Sequence, residues 1–234
     1  MFRTTAHIYD LIYEATGKDY LAESEQVREQ ILTRNPGARS LLDVACGTGV
    51  HLRHLRSWFE VVGVDIDPGM LEVARRHLPG VELVRADMRS LNLERRFDAI
   101  VCLFSSIGYM GSTEELHSAV RVMAEHLDAS GVLVIDGWVR PDAWIDPGTT
   151  HVEVAEADDL KVARVGRSRR EGNKTYLEMH HLVATLDRVE HLVDEHALTL
   201  FTDDEYRGAF VTAGLTVEIV PSPVPDRDRY IGQR

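Results

Sequence analysis

From Ser40 to Trp138 the chain alternates short apolar runs with stretches whose apolar residues recur at helical spacing. The runs cover 41–45, 61–64, 81–84, 99–104 and 132–135, and the helical patterns predict helices over 50–58, 68–78 and 113–127. Strands this apolar must be covered on both faces, which is the mark of a parallel sheet with helices packed on each side. Local signals agree. Ser112 precedes Thr113-Glu114-Glu115 as a capping hydroxyl before acids, and Asp67-Pro68 puts proline at a first helical position. An amphipathic helix is predicted over 18–34, ended by Asn35-Pro36-Gly37. Residues 151–201 change character, with partial period-2 alternation near 151–156, 160–168, 174–185 and 188–201. Ala157-Asp158-Asp159, Gly172-Asn173 and Leu186-Asp187-Arg188 supply the turns between them. A helix from Thr202 to Ala213, stopped by Gly214, and strands at 215–220 and 229–232 complete the pattern. The expected architecture is α/β: a doubly wound, mostly parallel sheet in one domain over 1–234, with an antiparallel β insertion over 141–201 after the fifth strand.

Composition narrows the partners. At 234 residues, 44% hydrophobic and 27% charged, the chain has enough apolar material for a core of this kind. A formal charge of −12 argues against nucleic acid or an anionic membrane, because phosphate binding needs fields of Lys and Arg. Only two cysteines are present, Cys46 and Cys102, both in apolar segments, so a reduced, cytoplasmic setting is expected. Met1 to Ile12 lacks the features of a secretory signal, and no stretch reaches the ~18 apolar residues of a membrane span.

The chemistry concentrates at Asp43-Val44-Ala45-Cys46-Gly47-Thr48-Gly49, which closes a buried strand and precedes a helix. Glycines there let the backbone turn tightly and approach a ligand closely, the Rossmann-like arrangement. The next strand ends at Asp65, an acid able to take both hydroxyls of a ribose. Together these features predict a nucleoside cofactor. A dinucleotide fits poorly, since Leu52 stands where the third glycine of the fingerprint belongs and Asp43 would repel a pyrophosphate. No Gly-Lys-Ser/Thr follows, which removes a Walker A loop. S-adenosylmethionine carries a sulfonium and an ammonium, so an acid beside the loop favours it. Asp87, after the third strand, is placed to accept from an adenine amino group, with Met88 over the ring.

These residues resemble class I S-adenosylmethionine-dependent methyltransferases. More specifically, the chain resembles the nucleotide-linked (dTDP) amino-sugar N-methyltransferases of antibiotic biosynthesis, the desosamine and mycaminose type. The likeness runs through Tyr9-Asp10-Leu11, Gly17-Lys18-Asp19-Tyr20, the glycine loop, Asp87-Met88-Arg89 and Phe104-Ser105-Ser106-Ile107-Gly108. It continues in Arg170-Glu171-Gly172-Asn173, Glu178-x-His180, His196-x-Leu198-Thr199-Leu200-Phe201 and Ala213-Gly214-Leu215. The resemblance implies that Asp43, Ala45, Gly47, Gly49, Asp65, Ile66, Asp87, Met88 and Leu103 hold S-adenosylmethionine, with S-adenosylhomocysteine as product, and that Tyr9 and Tyr20 close over it. It departs at Asp136-Gly137-Trp138-Val139-Arg140-Pro141, where the sugar enzymes show Glu-Pro-Trp-Trp, and at residues 223–229, which replace a glycine-rich segment. Both departures fall where the acceptor is expected.

The implied reaction is direct in-line displacement onto an amine, which needs alignment and no covalent enzyme intermediate. The amine must lose its proton first, and Tyr109, Asp136, His180 and His196 are the candidate acid–base groups. Tyr109, after the Ser-Ser-Ile-Gly turn at the mouth of the fourth strand, is expected to face the acceptor. Ser105, Trp138 and His196 are expected around the substrate, Trp138 either as meander core or as a wall of the slot. Arg164, Arg170, Arg227 and Arg229 are the cations proposed for its phosphates. His180 and His181 point to opposite faces of a strand and cannot share a metal, and no metal site is expected. The expected partners are a small-molecule substrate and a second copy of the chain in a homodimer. Two other readings compete: a methyltransferase for a different amine or hydroxyl, and a non-catalytic module that binds S-adenosylmethionine.

Overall fold

The apolar runs pair in parallel at the centre of the molecule, which a computed structural model describes over residues 5–222 and 224–234. Residues 1–4, part of the N-terminal reading above, and Pro223, part of the departing C-terminal loop, lie outside the described residues. The chain opens with α1 (Ala6–Ala15) and α2 (Tyr20–Arg34). It then alternates β1 (Ser40–Val44), α3 (Val50–Leu55), β2 (Glu60–Asp65), α4 (Pro68–His77), β3 (Glu82–Arg85) and β4 (Phe97–Cys102). A 3-10 turn (Ser106–Tyr109), α5 (Thr113–Glu125) and β5 (Leu127–Val139) follow. The antiparallel strands β6 (Thr150–Ala157), β7 (Leu160–Glu171), β8 (Lys174–Ala184) and β9 (Val189–Thr199) come next, before α6 (Asp203–Thr212), β10 (Thr216–Pro221) and β11 (Arg227–Gln233).

The main sheet runs β10-β11-β5-β4-β1-β2-β3, and β6 to β9 form a separate four-stranded sheet in sequential order. Strands β1 to β5 pair in parallel, while β11 is antiparallel to both of its neighbours. This is the expected α/β architecture with its inserted meander. Alternate strand residues supply opposite cores. Leu42, Ile100 and Leu133 face Leu116, Met123 and Phe210 of α5 and α6, whereas Leu41, Ala99 and Val132 face Val27, Ile31 and Leu71 of α2 and α4.

The predicted caps form. Asp67 accepts from the Gly69 and Met70 amides, Ser112 from Glu115, and Thr202 with Glu205 makes a capping box. β5 is much longer than its apolar run, because β11 pairs with it from Val132 to Val139 and Leu127 already meets Phe97. α1 has no counterpart in the sequence pattern. Thr5 makes no side-chain cap, and only Ala6, Ile8 and Ile12 are buried, so tertiary packing rather than local signal holds this helix. Ile8 and Ile12 pack on Ala155, Val162 and Val183 of the meander, and Ala6 and Tyr9 pack on Met70 and Val73 of α4. α1 thus bridges the two sheets' layers.

Gly49 caps α3 in the left-handed region (φ 78°), and a Cβ there would sit 2.5 Å from Leu78 Cδ1 and 3.4 Å from Ala74 Cβ. Gly49→Ala is expected to lose about 2 kcal/mol or more of stability from backbone strain and overpacking. A urea midpoint equal to that of the unmutated protein would show that this close approach relaxes without cost.

Candidate active site

β1 and β4 flank the point where strand order reverses, and a crevice opens at their carboxyl ends. Its floor is the turn after β1, where Ala45 (φ 63°) and Gly47 (φ 56°) both adopt left-handed backbone. A Cβ on Gly47 would meet no protein atom within 4 Å, so packing does not demand this glycine. Backbone conformation and ligand clearance do. Asp65 arrives from β2 and accepts from the Gly47 amide and the Asp67 amide, each at 2.8 Å. Each carboxylate oxygen keeps a further lone pair for a ligand hydroxyl.

Four aspartates among the described residues, Asp43, Asp65, Asp67 and Asp87, line the crevice. Burial, and then the charge of Asp65, push the carboxyl of Asp43 well above the ordinary carboxylate range. Burial likewise raises Asp65 against the opposing effect of its backbone hydrogen bonds. Tyr20, 6% exposed, lines the crevice with a buried hydroxyl that has no hydrogen-bond partner. Ile66, Met88 and Leu103 provide apolar surface. Asp87 also lines the crevice, held below its usual pKa by hydrogen bonds from Arg89. A cation-bearing nucleoside fits this set: two reluctant carboxylates, an unsatisfied hydroxyl and an apolar slot.

α1 and the start of α2 cover the crevice. Tyr9 and Tyr20 both line it, and Asp10 accepts from Thr48 of the glycine turn at 2.5 Å. Behind Tyr20, burial opposes ionisation of Glu23, but hydrogen bonds from His51 and Lys18 hold it down to about 2. Lys18 Nζ lies 3.9 Å from the Phe104 ring centroid.

Phe104 is shared with a second cavity, lined by Tyr13, Lys18, Gln26, Pro225 and Arg227 among others. Arg227 stacks on Trp138 at 4.4 Å and donates to Ser105 Oγ at 3.0 Å, and its Nε is buried without a partner. Among the described residues no carboxylate pairs with it, and burial pushes its pKa down. This is a cation lacking an anion.

The structure gathers Tyr9, Tyr20, Asp43, Ala45, Gly47, Asp65, Ile66, Asp87, Met88, Leu103 and Tyr109 around the first crevice. Gly49 is not among them; its role is the approach to Leu78. Several expected substrate groups are occupied elsewhere. Arg229, 1% exposed, gives Nε to Asp136 at 2.6 Å and Nη1 to Gln26 and Gln30 at 3.0 Å, so neither it nor Asp136 is available to a phosphate or an amine. Asp136 also accepts from the Phe104 amide. Arg164 forks onto Glu153, and Arg170 donates to the carbonyls of Gly172 and Pro141. Ser105 gives its hydroxyl proton to the Gly137 carbonyl at 2.6 Å. Trp138 donates to Thr175 and walls the second cavity only through Arg227. His180 sits on the outer face of the meander, bonded to Glu178 and stacked on His191, remote from the crevice as an acid–base group. His196 lies inward, 4% exposed, with Nδ1 2.9 Å from Tyr109 Oη. Tyr13 and Lys18 have no role in the sequence reading. Their only signal is position, in a helix without a cap and in a motif whose neighbours have the recognisable chemistry.

Known proteins similar to this chain are methyltransferases. Residues 41–131 match the family described as a methyltransferase domain. The dTDP-3-amino-3,4,6-trideoxy-alpha-D-glucopyranose N,N-dimethyltransferase of Streptomyces venezuelae is 44% identical over 229 residues, covering 97% of this chain and 96% of the relative. The crystal structure of Streptomyces venezuelae DesVI superposes with a TM-score of 0.93 at 43% identity, covering 97% of each chain. CalS10 from Micromonospora echinaspora, an amino pentose methyltransferase solved with S-adenosylmethionine bound, gives 0.88 at 36% identity, with 97% of this chain and 96% of that one covered.

Ionised Asp43 and Asp65 attract a cationic ligand, and their protonated forms do not. S-adenosylmethionine affinity is therefore expected to fall as pH is lowered from neutrality, before the range where an ordinary aspartate titrates is reached. Asp43→Asn should flatten that dependence. Calorimetric titrations giving one dissociation constant across the whole interval would remove the two carboxyls from the ligand's recognition.

Proposed function

Since the chain belongs to the S-adenosylmethionine-dependent N-methyltransferases of nucleotide-linked amino sugars, we propose that it methylates the amino group of a dTDP-linked amino sugar. The observation that supports this most directly is the shared Phe104 wall. On one side lies an acid-lined nucleoside crevice, on the other a cavity whose Arg227 lacks an anionic partner. A donor carrying positive charge suits the first, and a pyrophosphate suits the second.

S-adenosylmethionine, when bound, supplies an electrophilic methyl group on a sulfonium. Asp65 would take the ribose hydroxyls, Asp87 and Met88 would meet the adenine, and the Tyr20 hydroxyl would find its partner in the amino-acid portion. Asp43 balances positive charge. α1, docked on both the meander and α4, keeps water from the crevice. The acceptor enters from the Arg227 side, its phosphates between Lys18 and Arg227, and its amine is brought beside Tyr109. Tyr109 is 40% exposed as a residue, yet desolvation around its hydroxyl raises the phenol above its usual pKa of about 10, so it stays protonated at neutral pH and makes no general base. The amine proton leaves to solvent, and the rate derives mainly from alignment.

Among the described residues no helix is long and apolar enough to cross a membrane. Cys46 and Cys102 are both free thiols, which suits a cytoplasmic enzyme. The homodimer is assigned to the outer face of the meander. Val152, Val154, Val165, Leu182 and Val193 are 43–68% exposed there, and Val152 pairs across to Val165. The ion pairs Arg167–Glu178 and Lys161–Glu156 bring both signs of charge to this sheet. An apolar centre beside charges of both signs is self-complementary about a two-fold axis.

Incubation with labelled donor and dTDP-3-amino-3,4,6-trideoxy-α-D-glucopyranose should yield N-methylated sugar by mass spectrometry, and turnover only of unactivated amines would refute the acceptor assignment. Arg227→Gln should raise KM for the nucleotide-linked acceptor by about tenfold or more while donor affinity holds. An unaltered KM would free the second cavity of its assigned role. Light scattering should show a dimer that Val165→Asp converts to monomer, and a native monomer at micromolar concentration would overturn that interface.

A further inference from the structure

Tyr109 reaches the crevice from a turn clamped against β9. Thr199 Oγ1 donates to the Met110 carbonyl at 2.5 Å, and a Cβ on Gly108 would lie 3.1 Å from Leu198 Cδ2 and from Trp138 Cβ. The turn therefore has little room to shift. From the same strand, buried His196 approaches Tyr109 edge-on, with ring centroids 5.9 Å apart and planes at 65°. Its Nδ1 is 2.9 Å from the phenolic oxygen. One proton lies between these two atoms. Phenol is the better proton donor and imidazole nitrogen the better acceptor, so the favoured arrangement is O–H pointing at nitrogen.

We infer that His196 is a positioning residue: by drawing the Tyr109 O–H onto Nδ1, it leaves only oxygen lone pairs facing the crevice and so makes Tyr109 an obligate acceptor from the substrate amine. The inference rests on the reading of Tyr109 as the acceptor's neighbour. Its consequence is directional. An amine attacks the methyl carbon through its lone pair, and a hydroxyl donating to that nitrogen would occupy the pair. A hydroxyl that accepts from an amine N–H leaves the pair free and turns it away from Tyr109, into the crevice. The N–C bond then forms as the S–C bond breaks, and the surplus proton on nitrogen passes to solvent.

Ionisation does not disturb the arrangement near neutrality. Burial, reinforced by neighbouring positive charge including that of Arg164, pushes His196 down to about 4, while burial raises the Tyr109 phenol. Both partners stay neutral, so the pair sets hydrogen-bond polarity and takes no proton from the substrate.

The polarity can be read without any acceptor. In protein labelled with nitrogen-15 histidine, the His196 signals, assigned by their loss in His196→Asn, should show an unprotonated Nδ1 and a protonated Nε2. A proton on Nδ1 would overturn the inference. Steady-state kinetics with the dTDP amino sugar named above supplies the second readout. His196→Leu and Tyr109→Phe should each lower kcat by about tenfold or more with KM changed less than about threefold, and the double variant should be no slower than the slower single. His196→Asn, whose amide oxygen can replace Nδ1 as acceptor, should recover most of the loss. Multiplying losses in the double variant, or no recovery with asparagine, would sink the idea. Failure of the unmutated protein to methylate this sugar would instead count against the proposed acceptor, and the nitrogen spectra would still decide the polarity.

Discussion

Two carboxyl groups at the buried carboxyl edge of a parallel sheet constrain everything around them. Asp43 and Asp65 stand on adjacent strands held in register by β1–β2 pairing, and neither has a cationic side chain as partner among the described residues. Burial makes their ionised forms costly, and the charge of Asp65 raises the cost for Asp43 further. A fold that keeps such a pair must complete it with a positively charged guest or leave it protonated. The apolar slot, the left-handed turn and the tyrosine cover define which guest has the right shape. Charge selects, and packing shapes.

The arginines illustrate the opposite case. Arg229 is the largest fully buried side chain among the described residues, yet its charge is answered by Asp136 and by two glutamine oxygens of α2. Removing either member of that pair would strand the other in a medium that solvates it poorly. The pair is structural: it joins β5, β11 and α2 and, through the Phe104 amide, fixes the mouth of β4. Arg227 comes from the same strand two residues earlier, meets Ser105 and Trp138 instead, and has a nitrogen without a partner. A register shift in the pairing of β11 with β5 lies between the two positions and separates their surroundings.

Much of this was visible in the amino-acid order. Period-2 and period-3.6 patterns located the parallel strands, the meander and the capped helices, since each signal is local. The glycine turn and its two acids were likewise legible, because backbone conformation and strand-end position follow from short stretches. What stayed hidden depends on pairing across long separations. α1 lacks a cap and is held by contacts with β6 to β8, so no window of sequence reveals it. The separate fates of Arg164, Arg170, Arg227 and Arg229 were equally invisible, because an arginine's role is set by which acceptor the fold brings within reach. His180 and His196 differ only in which face of the meander they occupy.

Phe104 links the two halves of the site most tightly. One ring forms part of both cavities, has Lys18 and Arg227 of the second cavity over it, and sits on a backbone with φ 53° that few side chains tolerate. A party wall of this kind cannot be moved for one tenant alone. Drift toward a bulkier sugar would also reshape the nucleoside slot, so the two specificities are bound to evolve as a unit.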